Sequence, residues 1–188
     1  MSAPTLDPRD PLVLDTSELG RRPGTQRERS LSVPAPADLG IEVIGVPEGS
    51  PMELHLRLEA VMEGVLVTGS AAARIVGECA RCVTEIEDEL DVDFTELYSY
   101  ERDPRRGGDD EDDDTLPMDG DLLDLEPLLR DAIVLQLPFQ PLCEPDCPGL
   151  CADCGARLAD DPQHSHGEAV DIRLAGLADL KARLAEGS

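Results

Sequence analysis

Residues 52–60 alternate strictly. Met52, Leu54, Leu56, Leu58 and Ala60 are apolar, and Glu53, His55, Arg57 and Glu59 stand between them. A period of two places the sets on opposite sides of a strand, so this segment is predicted as a strand with one buried face. A turn follows at Glu63-Gly64, and residues 65–76 are expected to return as a second strand, with Gly69 as a candidate bulge. A third strand is expected over 83–97. Ile86, Leu90, Val92 and Phe94 share one face, with Asp88 the exception, and Glu85, Glu87, Glu89, Asp91 and Asp93 line the other. A ladder of like charge costs stability, so that face is expected to be solvated or to meet a basic neighbour.

The period changes after Asp124. Leu125, Leu128, Leu129, Ala132 and Ile133 recur at helical spacing. Asp124 is expected to cap this helix, Pro127 fits its first turn, and Pro138 ends it. A last helix is predicted from Asp171, with Leu174, Leu177, Leu180 and Leu184 on one side. These elements predict an α+β fold: an antiparallel β-meander or partly open barrel with one packed helix, a Cys-rich loop resembling a zinc knuckle, and a C-terminal helix. Residues 1–40, rich in Pro, Gly and charge, are expected to form a flexible arm with a short edge strand near 11–15. Residues 41–142 are expected to hold the β-rich core and the packed helix, interrupted by an acidic loop over 101–120. Residues 143–188 form the Cys-rich module and the last helix.

Composition narrows the partners. Among 188 residues only 2% are aromatic and none is Trp, so the core must be aliphatic. Lys and Arg number 16 against 41 Asp and Glu, a formal charge of -25. That excludes a generally basic nucleic-acid coat, argues against an anionic membrane partner, and favours a basic protein. The largest basic cluster is Arg21, Arg22, Arg27 and Arg29. With Arg81 these are the candidate contacts for RNA. No stretch reaches the ~18 apolar residues a membrane span needs. The N-terminus is polar and carries no apolar signal-peptide core, so a cytoplasmic location is expected.

All six cysteines fall in two clusters. Cys143, Cys147, Cys151 and Cys154 lie within twelve residues at spacings x3, x3 and x2. Four soft thiolates suit a tetrahedral zinc ion, and a loop so poor in apolar residues has little else to organise it. These four are the candidate ligands of a structural zinc site. Cys79 and Cys82 are a second thiol pair between two predicted strands, with three readings. They share a site with Cys151 and Cys154, or bind their own metal with help from His55, His164 or His166, or stay a dithiol. The strand–turn–strand context argues against redox catalysis, since a reactive Cys-x-x-Cys usually opens a helix. No Ser/His/Asp or His/Glu constellation accompanies the cysteines, so neither an enzyme nor a small-molecule substrate is expected.

Three stretches carry a family resemblance: Gly77-Glu-Cys79-Ala-Arg-Cys82 leading into the acidic strand, residues 121–138 around the predicted helix, and residues 142–158 with four cysteines. In this order they resemble the YceD-type large ribosomal RNA subunit accumulation proteins, a bacterial and plastid family formerly known as a domain of unknown function. The resemblance implies a role in accumulating large-subunit ribosomal RNA and in large-subunit biogenesis. It also implies that Cys79 and Cys82 are the shared pair, and that Cys143, Cys147, Cys151 and Cys154 form a cluster kept by some members. The expected function is a non-enzymatic accessory factor that binds a ribosomal protein or a large-subunit precursor, with ribosomal RNA contacted directly or indirectly. The alternative is a zinc- or thiol-responsive regulator of a neighbouring ribosomal-protein gene.

Overall fold

The computed structural model describes residues 6–100 and 115–166. The acidic run Asp109 to Asp114 and the helix expected from Asp171 lie outside these residues. The chain divides into two units, Met1–Cys143 and Glu144–Ser188. The described elements of the first are β1 (Val13–Asp15), β2 (Gln26–Pro34), β3 (Gly40–Ile41), β4 (Ile44–Gly45), β5 (Pro51–Ala60), β6 (Gly64–Glu78), β7 (Glu85–Ser99), β8 (Leu116–Pro117), β9 (Leu122–Asp124) and α1 (Glu126–Gln136).

The three strands expected from the alternation are β5, β6 and β7, joined as an antiparallel meander. β2 pairs antiparallel with the free edge of β5. Past the end of β5, β4 takes over that edge of β6 through Ile44↔Gly77 and Gly45↔Val76, and β3 hairpins onto β4. β8 runs parallel to the end of β7, and β1 and β9 form a separate two-stranded sheet. The main sheet is therefore open and not a closed barrel.

The register stacks the core in rows. Met52, Ala73 and Leu90 lie side by side, as do Leu54, Ala71 and Val92. Gly69 sits between Leu56 and Phe94 in unbroken register, so it is not a bulge. A Cβ there would stand 2.5 Å from the His55 carbonyl oxygen, 2.8 Å from Leu56 Cδ2 and 3.1 Å from Phe94 Cε2. The glycine is required because the β5 backbone and the flanking Leu56 and Phe94 side chains leave no room for a Cβ. Leu125, Leu128, Leu129 and Ile133 close the core from the helix side. The fully buried Tyr98 ties β7 to β9, just ahead of the helix, its hydroxyl donating to the Asp124 carbonyl at 2.7 Å. Burial pushes the Tyr98 phenol well above the usual range, so it stays a neutral donor.

Two expectations need correction. Residues 26–34 are a nine-residue strand and not part of an arm, and Leu12, Leu19, Val33, Ala35 and Leu39 are buried in the core. Composition hid β2 because Gln26-Arg-Glu-Arg-Ser30 has no apolar alternation. Continuous backbone pairing with β5 holds it, and only Leu31 and Val33 lean on the core. Asp124 is also not the cap residue of α1. Leu125 holds that position, while the Asp124 carboxylate accepts the Glu126 N–H at 2.9 Å from one residue further out.

Candidate metal centre

β6 ends at Glu78, and the chain must reverse before β7 starts at Glu85. Cys79-Ala-Arg-Cys82-Val83 makes that reversal. The Cys79 N–H donates to the Thr84 carbonyl at 2.8 Å, and the Val83 N–H donates to the Cys79 carbonyl at 2.9 Å. Val83 pays for this with a φ of 57°, a left-handed conformation rarely adopted by a β-branched residue. The tight turn brings Cys79 and Cys82 together under the sheet end, both buried. A latch then delivers the third cysteine: the Ala80 N–H donates to the Pro141 carbonyl at 2.8 Å, two residues before Cys143.

The sulfurs of Cys79, Cys82 and Cys143 lie within 4.8 Å of one another, and Cys82 Sγ is 3.5 Å from Cys143 Sγ. Tetrahedral ligands at about 2.3 Å sit about 3.8 Å apart, so this is the spacing of sulfurs that share a metal. The environment favours thiolates. The Cys143 N–H, with those of Arg81 and Cys82, lowers the Cys79 thiol to about 6. The Thr84 hydroxyl and N–H lower Cys82 as well. Soft, converging sulfurs are a donor set that suits a soft metal ion.

The second unit repeats the turn. In Cys151-Ala-Asp-Cys154-Gly155 the Gly155 N–H donates to the Cys151 carbonyl at 2.9 Å, with Gly155 at φ 72°. The Cys151 N–H donates to the Ala156 carbonyl at 2.8 Å, and Leu150 bridges Arg157. N–H groups of Asp153 and Cys154 lower the Cys151 thiol to about 6. Cys151 and Cys154 group with His164 and His166, the four ligand atoms all within 4.8 Å of one another.

Sequence spacing suggested one contiguous quartet. The structure divides it: Cys143 joins Cys79 and Cys82, and Cys151 and Cys154 join two histidines. Cys147, four residues after Cys143, is 2% exposed. His55 is not part of a thiol group; its Nδ1 lies 3.1 Å from the Ser30 hydroxyl on the polar face of the sheet. No disulfide joins any of the six cysteines, so both clusters can hold a metal ion. The residue that spacing failed to mark is Val83. Its position directly after a Cys-x-x-Cys, where Gly155 stands in the second motif, was the available signal.

The candidate RNA contacts are only partly available. Arg21 approaches Asp121 at 3.4 Å and lies over the Tyr100 ring at 4.7 Å, and Arg29 pairs with Glu18 at 3.1 Å. Arg27 donates to the Gln26 carbonyl at 3.1 Å, and Arg22 and Arg81 are exposed. The acidic face of β7 is as expected, with Glu85, Glu87, Glu89, Asp91 and Asp93 all exposed. Its β6 neighbours are Glu78, Val76, Arg74, Ala72 and Ser70, so Arg74, 2.6 Å from Glu87, is the basic residue that meets it from that strand.

The family model of the large ribosomal RNA subunit accumulation protein YceD matches residues 67–181, which contain every cysteine and the helix. The chain belongs to the YceD family. An uncharacterized protein of Mycobacterium bovis is 44% identical over 172 residues, covering 90% of this chain and 81% of that protein. One from Mycobacterium leprae is 40% identical, covering 92% and 78%. The Bacillus subtilis protein YlbN is 24% identical over 132 residues, covering 70% and 74%. No solved structure matches the chain. Within this YceD-family chain, no described helix is long and apolar enough to cross a membrane.

Proposed function

We propose that this protein is a non-enzymatic, cytoplasmic accessory factor in large ribosomal subunit biogenesis, built on an open sheet that a zinc ion locks at one end. The observation that carries the reading is the match to the large ribosomal RNA subunit accumulation family over residues 67–181. Zinc is held by Cys79, Cys82 and Cys143, whose sulfurs converge at the sheet end. The metal is structural: it fixes the reversal between β6 and β7 and, through Cys143, the chain that leaves α1.

The working surface is the acidic face of β7, and the partner is a basic ribosomal protein or a precursor particle that displays one. Five exposed carboxylates on alternate positions of one strand repel phosphate and attract Lys and Arg. Two of the arginines best placed by sequence for RNA, Arg21 and Arg29, face carboxylates of their own chain, so RNA is reached through the protein partner. Sedimentation of the tagged protein from growing cells, with and without ribonuclease, tests this. Co-migration with large-subunit precursors, or with a ribosomal protein at the top of the gradient, is expected. Tight binding of purified protein to naked ribosomal RNA, with no affinity for ribosomal proteins, would overturn the partner assignment. Reversible metal loss on mild oxidation, with no ribosomal association, would favour the regulator instead.

A further inference from the structure

The short loop that follows Gly149 has no apolar reason to be ordered. Among the described residues from Leu150 to His166 none is buried. Yet its backbone closes on itself: the Leu158 N–H donates to the Gly149 carbonyl at 3.0 Å, and the His164 N–H donates to the Asp161 carbonyl at 3.0 Å. The Asp161 carboxylate also accepts the Gln163 N–H at 3.1 Å, fixing the turn that presents His164. The outcome is a convergence of donor atoms. Cys154 Sγ lies 3.2 Å from Nε2 of His164 and 3.2 Å from Nε2 of His166, and the two Nε2 atoms are 2.9 Å apart. The rings meet edge to face at 84°, which lets both nitrogens aim at one point without stacking.

Two imidazole nitrogens and two sulfurs are drawn to one point, where hydrogen bonds among them pair donors and lone pairs only two at a time. A metal satisfies all four. With bonds of about 2.0–2.1 Å to nitrogen and 2.3 Å to sulfur, tetrahedral edges are about 3.3 Å between nitrogens and 3.5 Å between nitrogen and sulfur. The observed separations fall a few tenths of an ångström inside those values. We infer that Cys151, Cys154, His164 and His166 form a second zinc site, independent of the sulfur site and more readily stripped of its metal. Its donor set is two sulfurs and two nitrogens. Cys154 and His166 are exposed and Cys151 and His164 only half-buried, whereas Cys79 and Cys82 are buried at the sheet end. A soluble chelator therefore reaches the second ion first. Binding there is also the folding of residues 149–166, since nothing apolar holds them.

The inference stands apart from the sulfur site of the proposed function, and metal counting separates the two. Full-length protein purified with zinc is measured by elemental analysis and then challenged with a chromogenic chelator. The wild type is expected to hold two zinc ions per chain, one released in a fast phase and one slowly. The double variant His164→Asn/His166→Asn is expected to hold one and to lose the fast phase. Cys79→Ser/Cys82→Ser is expected to keep the fast-releasing ion if the chain stays soluble. Cobalt substitution gives a second readout, with the visible spectrum of the histidine variant losing the contribution of a mixed sulfur–nitrogen site. One zinc in the wild type and one in the histidine variant would overturn the second site and leave the sulfur site standing. One zinc in the wild type and none in the histidine variant would uphold the histidine site and remove the sulfur site. Two zinc ions in both proteins would show that the histidines are not ligands.

Discussion

The two Cys-x-x-Cys turns share a backbone and differ in what surrounds it. In each, the N–H after the second cysteine returns to the carbonyl of the first at 2.9 Å, and backbone N–H groups lower the first thiol to about 6, led by that of Cys143 for Cys79 and by the turn's own Asp153 for Cys151. The turn at Cys79 ends two long paired strands, and its cysteines are buried. The turn at Cys151 sits in a polar loop with no buried neighbour from 150 to 166. The first carries valine at the left-handed position and the second carries glycine. A β-hairpin of fifteen-residue strands can impose an unfavourable φ on Val83, because the pairing on both sides over-determines it. A loop without that support needs the residue that adopts the conformation freely.

This contrast can be broken in stages. The largest effect is expected from Cys79→Ser. Loss of a ligand at the sheet end should remove one metal ion and about 4 kcal/mol or more of stability, read as metal content and as a lower denaturation midpoint. The glycine–valine exchange comes next. Gly155→Val puts a β-branched residue at φ 72° with open space around it, so the cost is conformational alone. It should be ~1–3 kcal/mol, seen as weaker metal retention in the second unit with the sheet's unfolding unchanged. Tyr98→Phe removes the hydrogen bond to the Asp124 carbonyl and should cost ~1 kcal/mol in thermal unfolding without changing metal content. The smallest effect, and the one of opposite sign, is expected from Val83→Gly. Relief of ~1–2 kcal/mol of left-handed strain is offset by ~0.5–1 kcal/mol of extra chain entropy. A gain of ~1 kcal/mol or less should appear as a slightly raised midpoint. Should Val83→Gly destabilise, the valine would be serving a contact and not merely tolerating the turn.

Legibility followed the source of order. β5 and β7 were readable because burial on one face writes a period of two, and α1 because Leu128, Leu129 and Ile133 write a helical one. β2 was not, because Gln26 to Ser30 are exposed and their order comes from hydrogen bonds to β5 that any sequence can make. The cysteines were legible as metal ligands from residue type and spacing. Their grouping was not, because x3, x3 and x2 spacings are compatible with one site or with two.

Sequence alone determined the acidic balance, the alternating strands, the helix that covers them and the donor chemistry of six thiols. These depend on residue type and local period, which burial and bond strength translate directly into structure. The tertiary structure alone decided which sulfurs meet. Cys143 reaches Cys79 and Cys82 across more than sixty positions because the β6–β7 hairpin, the helix packed on it and the Ala80–Pro141 hydrogen bond bring the two segments together. No local pattern encodes that meeting, since it is set by how rigid elements pack and not by any stretch of chain taken by itself.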